Sequence, residues 1–506
     1  MYRIHEIKLG LEEDKSGIPE KIKKRLGTKS VISEYKIVKE SLDARDKNSI
    51  KYVYTVDFNI GGRFPGLEKS PDTAYIYPRP KAKPVRRPII AGFGPCGMFA
   101  ALALSEMGYG PIVLERGRRV GERVRDVELF WREGILDVES NVHFGEGGAG
   151  TFSDGKLTTG IKDPRVKKVL EELALAGAGD EILYKQRPHI GSDVLRTVVM
   201  NIREKIIRSG GEIRFETRLD HIITEQGRIA AVVAQGNGAA ETIETDALIL
   251  AVGHSARDTV RTLYTDGVRM EQKQFSIGVR IEHLQEKINE SQYGKGAPKG
   301  LPPAEYKLAH RCANGRGVYT FCMCPGGEVI AVSSQAGHVA TNGMSLRARD
   351  GKFANSAILV DVKTSDFGSP DPLSGIAFLE QYEQAAFRLA GGRYRAPKTT
   401  WGEFSAGADT AHLVLGSLPT FAANGVKEAM PFFAEKIAGF DDSGAAVYAV
   451  ESRSSSPFRI ARGPDYQSSV LGLYPGGEGA GYAGGIMSAA VDGIKIAEEI
   501  AGNFER

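Results

Sequence analysis

Continuous apolar runs and alternating apolar positions occur in different parts of the chain, and they predict two kinds of strand. Residues 89–91, 112–114 and 247–251 are short, uninterrupted apolar runs. Such runs are typical of strands buried on both faces of a parallel sheet. Between residues 52 and 60, apolar and polar positions alternate, which predicts a strand with one buried face. The alternating large side chains are Tyr52, Tyr54, Val56, Phe58 and Ile60.

The first 77 residues predict a small α+β domain that precedes the buried strands. Pro19 and Gly27 bracket a short helix over residues 20–26, and residues 31–41 have the composition of a strand. Residues 78–88 contain four prolines and several basic side chains, so we expect an extended linker there.

A glycine-rich turn joins the first buried strand to a predicted helix. Residues 92–97 read Gly-Phe-Gly-Pro-Cys-Gly, and the second strand ends at Glu115. In this pattern the first glycine makes the tight turn, the second lets the backbone approach a pyrophosphate, and the third packs helix against strand. The helix N-terminus then attracts the phosphates. The alternative is a glycine-rich turn of no function, which the flanking strands and the spaced acid disfavour.

Glu115 restricts the choice of dinucleotide. A carboxylate at this position accepts ribose hydroxyls and repels a 2′-phosphate, which leaves FAD or NAD. After a helix over residues 193–208 and a third strand at 213–217, a hairpin over residues 221–233 turns at Gln226 and Gly227. The hairpin precedes the strand that ends in the Gly253 turn. This order is that of an FAD-binding doubly wound domain.

Two further glycine-rich segments complete the predicted FAD site. Residues 141–156 are interpreted as a second wall of the site, with a mobile surface loop as the alternative. Residues 472–487 form a turn that carries Glu478 and feeds a helix from 486 to 500, an arrangement suited to ribityl hydroxyls and a reduced flavin. An ordinary capped turn is the alternative. The predicted cofactor-binding residues are Gly92, Gly94, Pro95, Cys96, Gly97, Glu115, Arg116, Gly147, Gly148, Ala149, Gly150, Leu219, Gly253, His254, Gly477, Glu478, Ala480, Gly481, Ala483, Gly484, Gly485 and Ile486.

Composition narrows the class of protein. The chain has 506 residues, 42% hydrophobic and 25% charged, with a net charge of +3, so we expect two or three globular domains and no nucleic-acid partner. No apolar run approaches a membrane span, and the N-terminus lacks the apolar segment of a signal peptide. Four cysteines do not suggest a disulfide framework. We expect a cytoplasmic protein that does not bind membranes; the oligomeric state stays open.

Residues 256–460 are predicted to form an inserted substrate domain between the two parts of the FAD-binding domain, 89–255 and 461–506. Strand-like stretches at 275–282, 317–324, 329–333 and 356–362, with a helix near 375–389, predict a mixed or antiparallel sheet packed with helices. No second strand, glycine motif and helix occurs in this interval. Any reduction by NAD(P)H would therefore require transient docking at the flavin.

Catalytic residues are not fixed by any motif, but the inserted region offers polar candidates. Cys322 and Cys324 would share one face of a regular strand with Cα atoms about 6.6 Å apart, which disfavours a disulfide. A zinc set of His310, Cys312 and these two cysteines has unsuitable spacing, so no metal is expected. The candidates are Arg280, His283, Cys322, Cys324, His338, Asn342 and Arg453.

The chain resembles the glutathione-reductase-type FAD-binding flavoproteins, and more closely a bacterial family of uncharacterised FAD-dependent dehydrogenases or oxidoreductases. The resemblance rests on residues 41–45 with 52–57, 144–156, 321–327, 342–345 and 474–490. It departs from the broader pattern at Glu478, where Asp is usual, and at Val252, where Thr is common. The resemblance implies redox chemistry with FAD and names no substrate.

Three functions remain open at this stage. The favoured one is an FAD-dependent oxidoreductase that passes hydride between flavin N5 and a small molecule held between the FAD-binding and inserted domains. The second is a flavin-dependent modifier of RNA or protein that docks through the N-terminal domain and linker. The third is a non-catalytic flavoprotein that senses redox state.

Overall fold

The computed structural model describes residues 1–62, 64–80, 85–236, 238–298 and 300–503. Its N-terminal sheet has the strand order β2-β3-β1-β4, and α1 packs on it. Tyr54, Val56 and Phe58 are buried against Ile18 and Ile22 of the helix, which confirms a buried face in the alternating segment. The elements are β1 (Tyr2–Gly10), α1 (Ile18–Leu26), β2 (Ile32–Asp43), β3 (Lys51–Ile60) and β4 (Glu68–Lys69).

The predicted linker follows this sheet. Its residues 81–84 lie outside the described residues. On either side of them, Tyr77 packs against the central core, and Arg86 forms ion pairs with Glu244 and Asp246. The described flanks of the linker are thus attached to the body of the protein.

A five-stranded parallel sheet forms the centre of the molecule, with the strand order β22-β11-β5-β6-β7. The three apolar runs form the strands β5, β6 and β11 of this sheet, and each strand is buried along its whole length. Its elements in the first half of the chain are β5 (Ile89–Ala91), α2 (Pro95–Glu106), β6 (Ile112–Leu114), α3 (Val120–Glu133), α4 (Arg165–Leu173), α5 (Ser192–Arg208) and β7 (Glu212–Arg214).

The predicted hairpin is present, and a third strand extends it. Gln226 and Gly227 have φ angles of 49° and 76°, which suit the two-residue turn between antiparallel strands. The third strand was not foreseen. The segment comprises β8 (Thr217–Glu225), β9 (Arg228–Gly236), β10 (Ala239–Glu244), β11 (Leu248–Leu250) and α6 (Arg257–Thr265).

A six-stranded antiparallel sheet dominates the next part of the chain, in the order β14-β15-β18-β13-β20-β19, with helices packed on it. Two small two-stranded sheets, β12 with β21 and β16 with β17, accompany it. The elements are β12 (Met270–Gln272), β13 (Phe275–Leu284), α7 (Gln285–Tyr293), β14 (Ala309–Arg311), β15 (Gly317–Cys324), β16 (Glu328–Val332), β17 (Ala340–Met344), β18 (Phe353–Val362), α8 (Ser374–Leu389), β19 (Lys398–Thr400), α9 (Trp401–Ala406), α10 (His412–Leu415), α11 (Thr420–Lys436), β20 (Ala446–Glu451) and β21 (Phe458–Ile460).

The C-terminus returns to the parallel sheet through β22 (Leu473–Pro475) and α12 (Ile486–Asn503). Helix α12 packs on α2 so closely that a Cβ at Gly493 would lie 2.1 Å from the carbonyl oxygen of Cys96. The chain is thus a mixed α/β protein with one central parallel sheet and separate antiparallel sheets. Among the described residues, no helix combines the length and apolar character needed to cross a membrane.

Candidate functional site

A cavity of about 400 Å³ opens where strands of the parallel sheet end. Ala91, Leu114 and Ala251 lie at or just beyond the carboxyl ends of β5, β6 and β11, and all three line it. Crevices at the carboxyl ends of parallel strands are the usual ligand sites of open α/β sheets. The remaining walls come from the glycine-rich segments and from the six-stranded sheet.

The turn between β5 and α2 brings backbone close to backbone. Gly92 has a φ of 98°, and a Cβ there would lie 2.4 Å from the carbonyl oxygen of Ala251. A Cβ at Gly97 would lie 2.0 Å from the carbonyl oxygen of Gly92, so a side chain would separate helix from strand. Gly94 instead faces the cavity and precedes the first turn of α2. The N-terminus of α2 therefore forms part of the cavity wall, where it favours an anion.

Glu115 is buried at the end of β6 and lines the cavity. Its Oε2 accepts from the backbone N–H of Phe93 at 2.8 Å, and its Oε1 accepts from Gly117 at 2.9 Å and Gly145 at 2.8 Å. A carboxylate has about four acceptor positions, so capacity remains for one hydroxyl in the cavity. Glu115 thus holds the turn, the next loop and the cavity wall in one arrangement.

The glycine-rich segment over residues 141–156 supplies a second wall. Gly148, Ala149 and Gly150 line the cavity, as do residues 153–156. Asp154 is buried and paired with Arg349 through two hydrogen bonds, which fixes the end of the segment. The segment therefore belongs to the cavity wall rather than to a surface loop.

Glu478 reaches the cavity beside His254. Glu478 Oε1 lies 3.1 Å from Nδ1 of His254. The loop that carries Glu478 is held by α12, because Asp492 of this helix accepts from the backbone N–H of Gly477 at 2.8 Å and pairs with Arg462. These contacts hold the turn at Gly253 and the loop of Glu478 against each other.

Two histidines in the cavity wall have buried ring nitrogens without a partner in the described residues. The atoms are Nε2 of His143 and Nε2 of His254. Burial lowers the pKa of His143 well below its usual range, and the charge of Arg453 lowers it further. A buried polar atom without a partner is costly, which indicates a polar ligand in this cavity. His143 was not singled out in the sequence, although it lies within the glycine-rich segment.

The far end of the cavity is formed by the six-stranded sheet and its neighbours. Cys322, Asn342 and Arg453 line it, together with Phe321 and Glu451. The guanidinium of Arg453 is already committed: it donates to Glu383 at 2.8 and 3.0 Å and to the hydroxyls of two serines. These contacts use the guanidinium of Arg453 to hold the wall together, so it does not serve as a free anion-binding group.

Most predicted cofactor-binding residues line the cavity, and five do not. The lining ones are Gly92, Gly94, Pro95, Cys96, Glu115, Arg116, Gly148, Ala149, Gly150, Leu219, Gly253, His254, Gly477, Glu478, Gly484, Gly485 and Ile486.

Of the other five, four are buried and Ala483 is half-buried. A Cβ at Gly97 would meet Gly92, one at Gly147 would meet Thr151, and one at Gly481 would meet Phe458. Ala480 is buried, and Ala483 packs on a small apolar cluster. These residues shape the backbone of the site but do not form its surface.

Four catalytic candidates also lie away from the cavity surface. Arg280 is fully buried and paired with Glu451 at 2.9 Å. His283 Nε2 bonds the carbonyl oxygen of Phe440 at 2.7 Å. His338 contacts the backbone carbonyl of Ala336 and the side chain of Gln384, and Cys324 is buried behind Cys322.

The structure differs from both patterns considered for the cysteines: residues 322–324 do not form a regular strand, and the four possible zinc ligands are not grouped together. Cys322 has a φ of 44°, and the register between β15 and β18 shifts between Phe321 and Cys324, so the expectation of a regular strand here is wrong. His310 and Cys312 instead lie with Glu428, with one ligand atom from each within 4.8 Å of the others.

Comparison with known proteins identifies the family. Residues 274–454 match a family model described as FAD-dependent protein, C-terminal domain-like, and residues 1–59 match a domain of unknown function, DUF8436. An uncharacterised protein of Clostridium beijerinckii is 44% identical over 99% of both chains. The chain belongs to a family of FAD-dependent proteins.

Three further matches of this FAD-dependent protein are more distant. Tetracenomycin B2 monooxygenase-dioxygenase of Streptomyces olivaceus is 27% identical over 34% of each chain. A triple mutant of the flavin-dependent brominase Bmp2 aligns with a TM-score of 0.41 and 12% identity, over 82% of this chain and 80% of that one. Glycine oxidase of Bacillus cereus aligns with a TM-score of 0.37 and 10% identity, over 83% and 96%.

The cavity of this FAD-dependent protein fits its cofactor. Cβ atoms added at Gly253, Gly484 and Gly485 would meet no atom within 4 Å, so these glycines leave open space at the wall. Gly94 at the start of α2, Glu115 and His254 line the same space, and His254 has a buried ring nitrogen without a partner among the described residues. FAD offers phosphates, hydroxyls and a polar ring edge that match these groups.

Valine at position 94 will weaken FAD binding by about five- to a hundredfold and lower the FAD content of the purified protein, because steric overlap of about 1–3 kcal/mol falls on the bound pyrophosphate. Gly94 has a φ of −79°, which valine adopts without strain, and its nearest neighbour beyond a Cβ is Gly148 at 3.8 Å. The measurement is the ratio of flavin to protein absorbance. Gly121→Val on the exposed side of α3 is the matched control, and full occupancy of Gly94→Val would contradict this location for the phosphates.

Proposed function

We propose that this protein is an oxidoreductase that passes hydride between flavin N5 and a small molecule bound at the far end of the cavity. One observation carries the proposal: a single cavity joins the FAD-type wall of the parallel sheet to a polar wall from the six-stranded sheet. A substrate at that junction would lie against both. When FAD is bound, its isoalloxazine ring supplies two-electron hydride chemistry.

The chain's own residues divide into two groups in this proposal. The N-terminus of α2, Glu115 and Glu478 hold and orient the dinucleotide. At the far end, Asn342 presents a fixed polar group to the substrate, and Phe321 supplies an apolar contact. Sites of this kind, mostly apolar with a few fixed polar groups, are typical of small-molecule recognition.

His143 is the residue we assign to hydrogen bonding at the reacting end. Its Nε2 is buried in the wall and has no partner among the described residues, and its low pKa keeps the ring neutral. A neutral imidazole accepts a hydrogen bond at one ring nitrogen and donates one from the other. His143 therefore orients a polar substrate atom without adding a charge to the cavity.

The electron donor is a separate question, for which the inserted region gives a direction. Among the described residues between Met270 and Ile460, the strands that pair with one another are antiparallel. A second nucleotide-binding unit would instead contain a parallel sheet. We accordingly propose that any NAD(P)H reaches the flavin by transient docking at the open side of the cavity.

The test is an anaerobic screen with the purified holoprotein. The oxidised flavin is mixed with a panel of reduced metabolites, NADH and NADPH included, and the photoreduced flavin with a panel of oxidised ones. We expect at least one compound to change the flavin spectrum at a rate that saturates with its concentration, which shows a binding site. A flavin that reacts with every compound only at the rate of free flavin, without saturation, would overturn the proposal.

A further inference from the structure

Cys322 and Cys324 form a pair of thiols at the wall of the cavity. Cys322 lines the cavity, whereas Cys324 is fully buried behind it. The Sγ of Cys324 donates to the carbonyl oxygen of Cys322 at 3.3 Å. Cys322 therefore lies at the cavity, and the thiol of Cys324 contacts its backbone from the protein side.

The backbone at Cys322 accounts for this contact. Its φ of 44° is in the left-handed region, which non-glycine residues seldom adopt, and it coincides with the register shift between β15 and β18. In a regular strand, residues two apart have Cα atoms about 6.6 Å apart and parallel side chains. The irregular turn instead places the Sγ of Cys324 against the backbone carbonyl of Cys322, so the second thiol lies next to the residue that lines the cavity.

The surroundings favour a thiolate at Cys322 and a thiol at Cys324. The hydrogen bond from Cys324 lowers the pKa of Cys322 more than burial raises it, and the charges of Arg280 and Lys156 lower it further. The same hydrogen bond and burial raise the pKa of Cys324. Arg280 also donates to the carbonyl oxygen of Cys322 at 3.3 Å, which places a permanent cation beside the pair. Thiolates in such surroundings are the reactive ones in proteins.

The other two cysteines lack these features. Cys96 is buried under the loop of Gly476, and burial raises the pKa of its thiol. Burial followed by the charge of Glu428 raises the pKa of Cys312 to about 11, and its Sγ contacts the carbonyl oxygen of Gly425 at 3.8 Å. Cys96 also lines the cavity, but its raised pKa disfavours a thiolate, so we assign reactivity toward a ligand there to Cys322.

We propose that Cys322 and Cys324 are a redox-active dithiol that reacts with small disulfide compounds entering the cavity. The Cys322 thiolate attacks one sulfur of the compound, breaks its S–S bond and expels the first thiolate, which takes up a proton from solvent. The Cys324 thiol then attacks Cys322 and passes its proton to the departing sulfur, which releases the second thiol and leaves an internal disulfide. Two enzyme thiols are oxidised and one disulfide is reduced to two thiols, so electrons and protons balance without the flavin.

The test uses the holoprotein and 2-hydroxyethyl disulfide, with intact mass measured after an acid quench. We expect the wild-type mass to fall by two hydrogens without a retained adduct, and peptide mapping to find the bond between residues 322 and 324. Cys324→Ser should stop at the mixed disulfide on Cys322, and Cys322→Ser should lose the fast reaction. Cys312→Ser is the control and should behave as wild type.

Several results would overturn the inference. They are an unreacted wild type, a stable adduct on wild type without ring closure, and a fast reaction that persists in Cys322→Ser. Peptide mapping of wild type needs no variant, so a folding defect in Cys324→Ser leaves the test intact. Because the readout is protein mass, failure here is distinct from a failure of hydride transfer in the flavin screen.

Discussion

Alanine at position 383 will leave two buried guanidinium groups without their carboxylate and will lower the free energy of unfolding by about 3–5 kcal/mol. Glu383 is fully buried on α8. Its carboxylate accepts from Arg257 at 2.8 and 2.9 Å and from Arg453 at 2.8 and 3.0 Å. Removing it leaves one of the most costly arrangements in a protein interior, a buried unpaired charge. Thermal and denaturant unfolding of the purified variant measure the loss.

An exposed polar residue on the same helix provides the control. Gln381 lies on the solvent side of α8. Substitutions at exposed positions usually change stability by about 0.5 kcal/mol or less, so Gln381→Ala should unfold close to wild type. Equal losses in the two variants would show that the helix, and not the buried pairing of Glu383, determines the effect; an unchanged Glu383→Ala would contradict the prediction outright.

The pH dependence of this contribution has a defined sign. Burial alone would raise the pKa of Glu383, but the charges of Arg257 and Arg453 outweigh burial and hold it well below its usual range. A depressed folded-state pKa gives stability that is fully present above the unfolded value of about 4.3 and is lost as pH falls through the folded value. The difference between wild type and Glu383→Ala should therefore stay constant above that unfolded value and shrink in stronger acid.

The parts of the fold that sequence predicted correctly are those determined by neighbouring residues. The runs that became β5, β6 and β11 are apolar throughout because both faces of the parallel sheet are covered. The turn at Gln226 and Gly227 needs two positive φ angles that its residues tolerate. Such preferences act over a few residues, so they can be recognised without the rest of the chain.

The features that sequence missed depend on residues far apart in the chain. In the sequence, Glu383 looks like a residue on an exposed helix surface. In the structure it is buried and pairs with Arg257 and Arg453. His143 became a wall residue because the glycine-rich segment folds over the cavity. Cys322 was assigned to a regular strand, and its left-handed backbone arises at a register shift with β18 that no local pattern predicts.

Alanine at position 115 will weaken FAD binding by about ten- to a hundredfold, the equivalent of one hydrogen bond to a charged group at about 1.5–3 kcal/mol. The Glu115 carboxylate faces the cavity, and we assign its remaining acceptor position to a ribose hydroxyl. Its other acceptor positions hold the backbone N–H groups of Phe93, Gly117 and Gly145, so the substitution also loosens the turn that receives the pyrophosphate. Titration of the apoprotein with FAD measures the dissociation constant.

Two further variants separate loss of the cofactor contact from loss of the fold. Glu115→Gln keeps the size of the side chain but replaces one acceptor oxygen with an N–H₂ group. This donor would face backbone N–H groups, which are also donors, so the variant should bind FAD more weakly than wild type. Glu225→Ala, at the exposed end of β8, should bind FAD as wild type does. If the Glu115 variants retained wild-type affinity while their apoproteins unfolded earlier, the carboxylate would serve the turn alone and the ribose contact would lie elsewhere. If affinity falls while the stability of the apoprotein stays close to wild type, the cavity oxygen of Glu115 contacts the cofactor directly, because only the ligand is then affected.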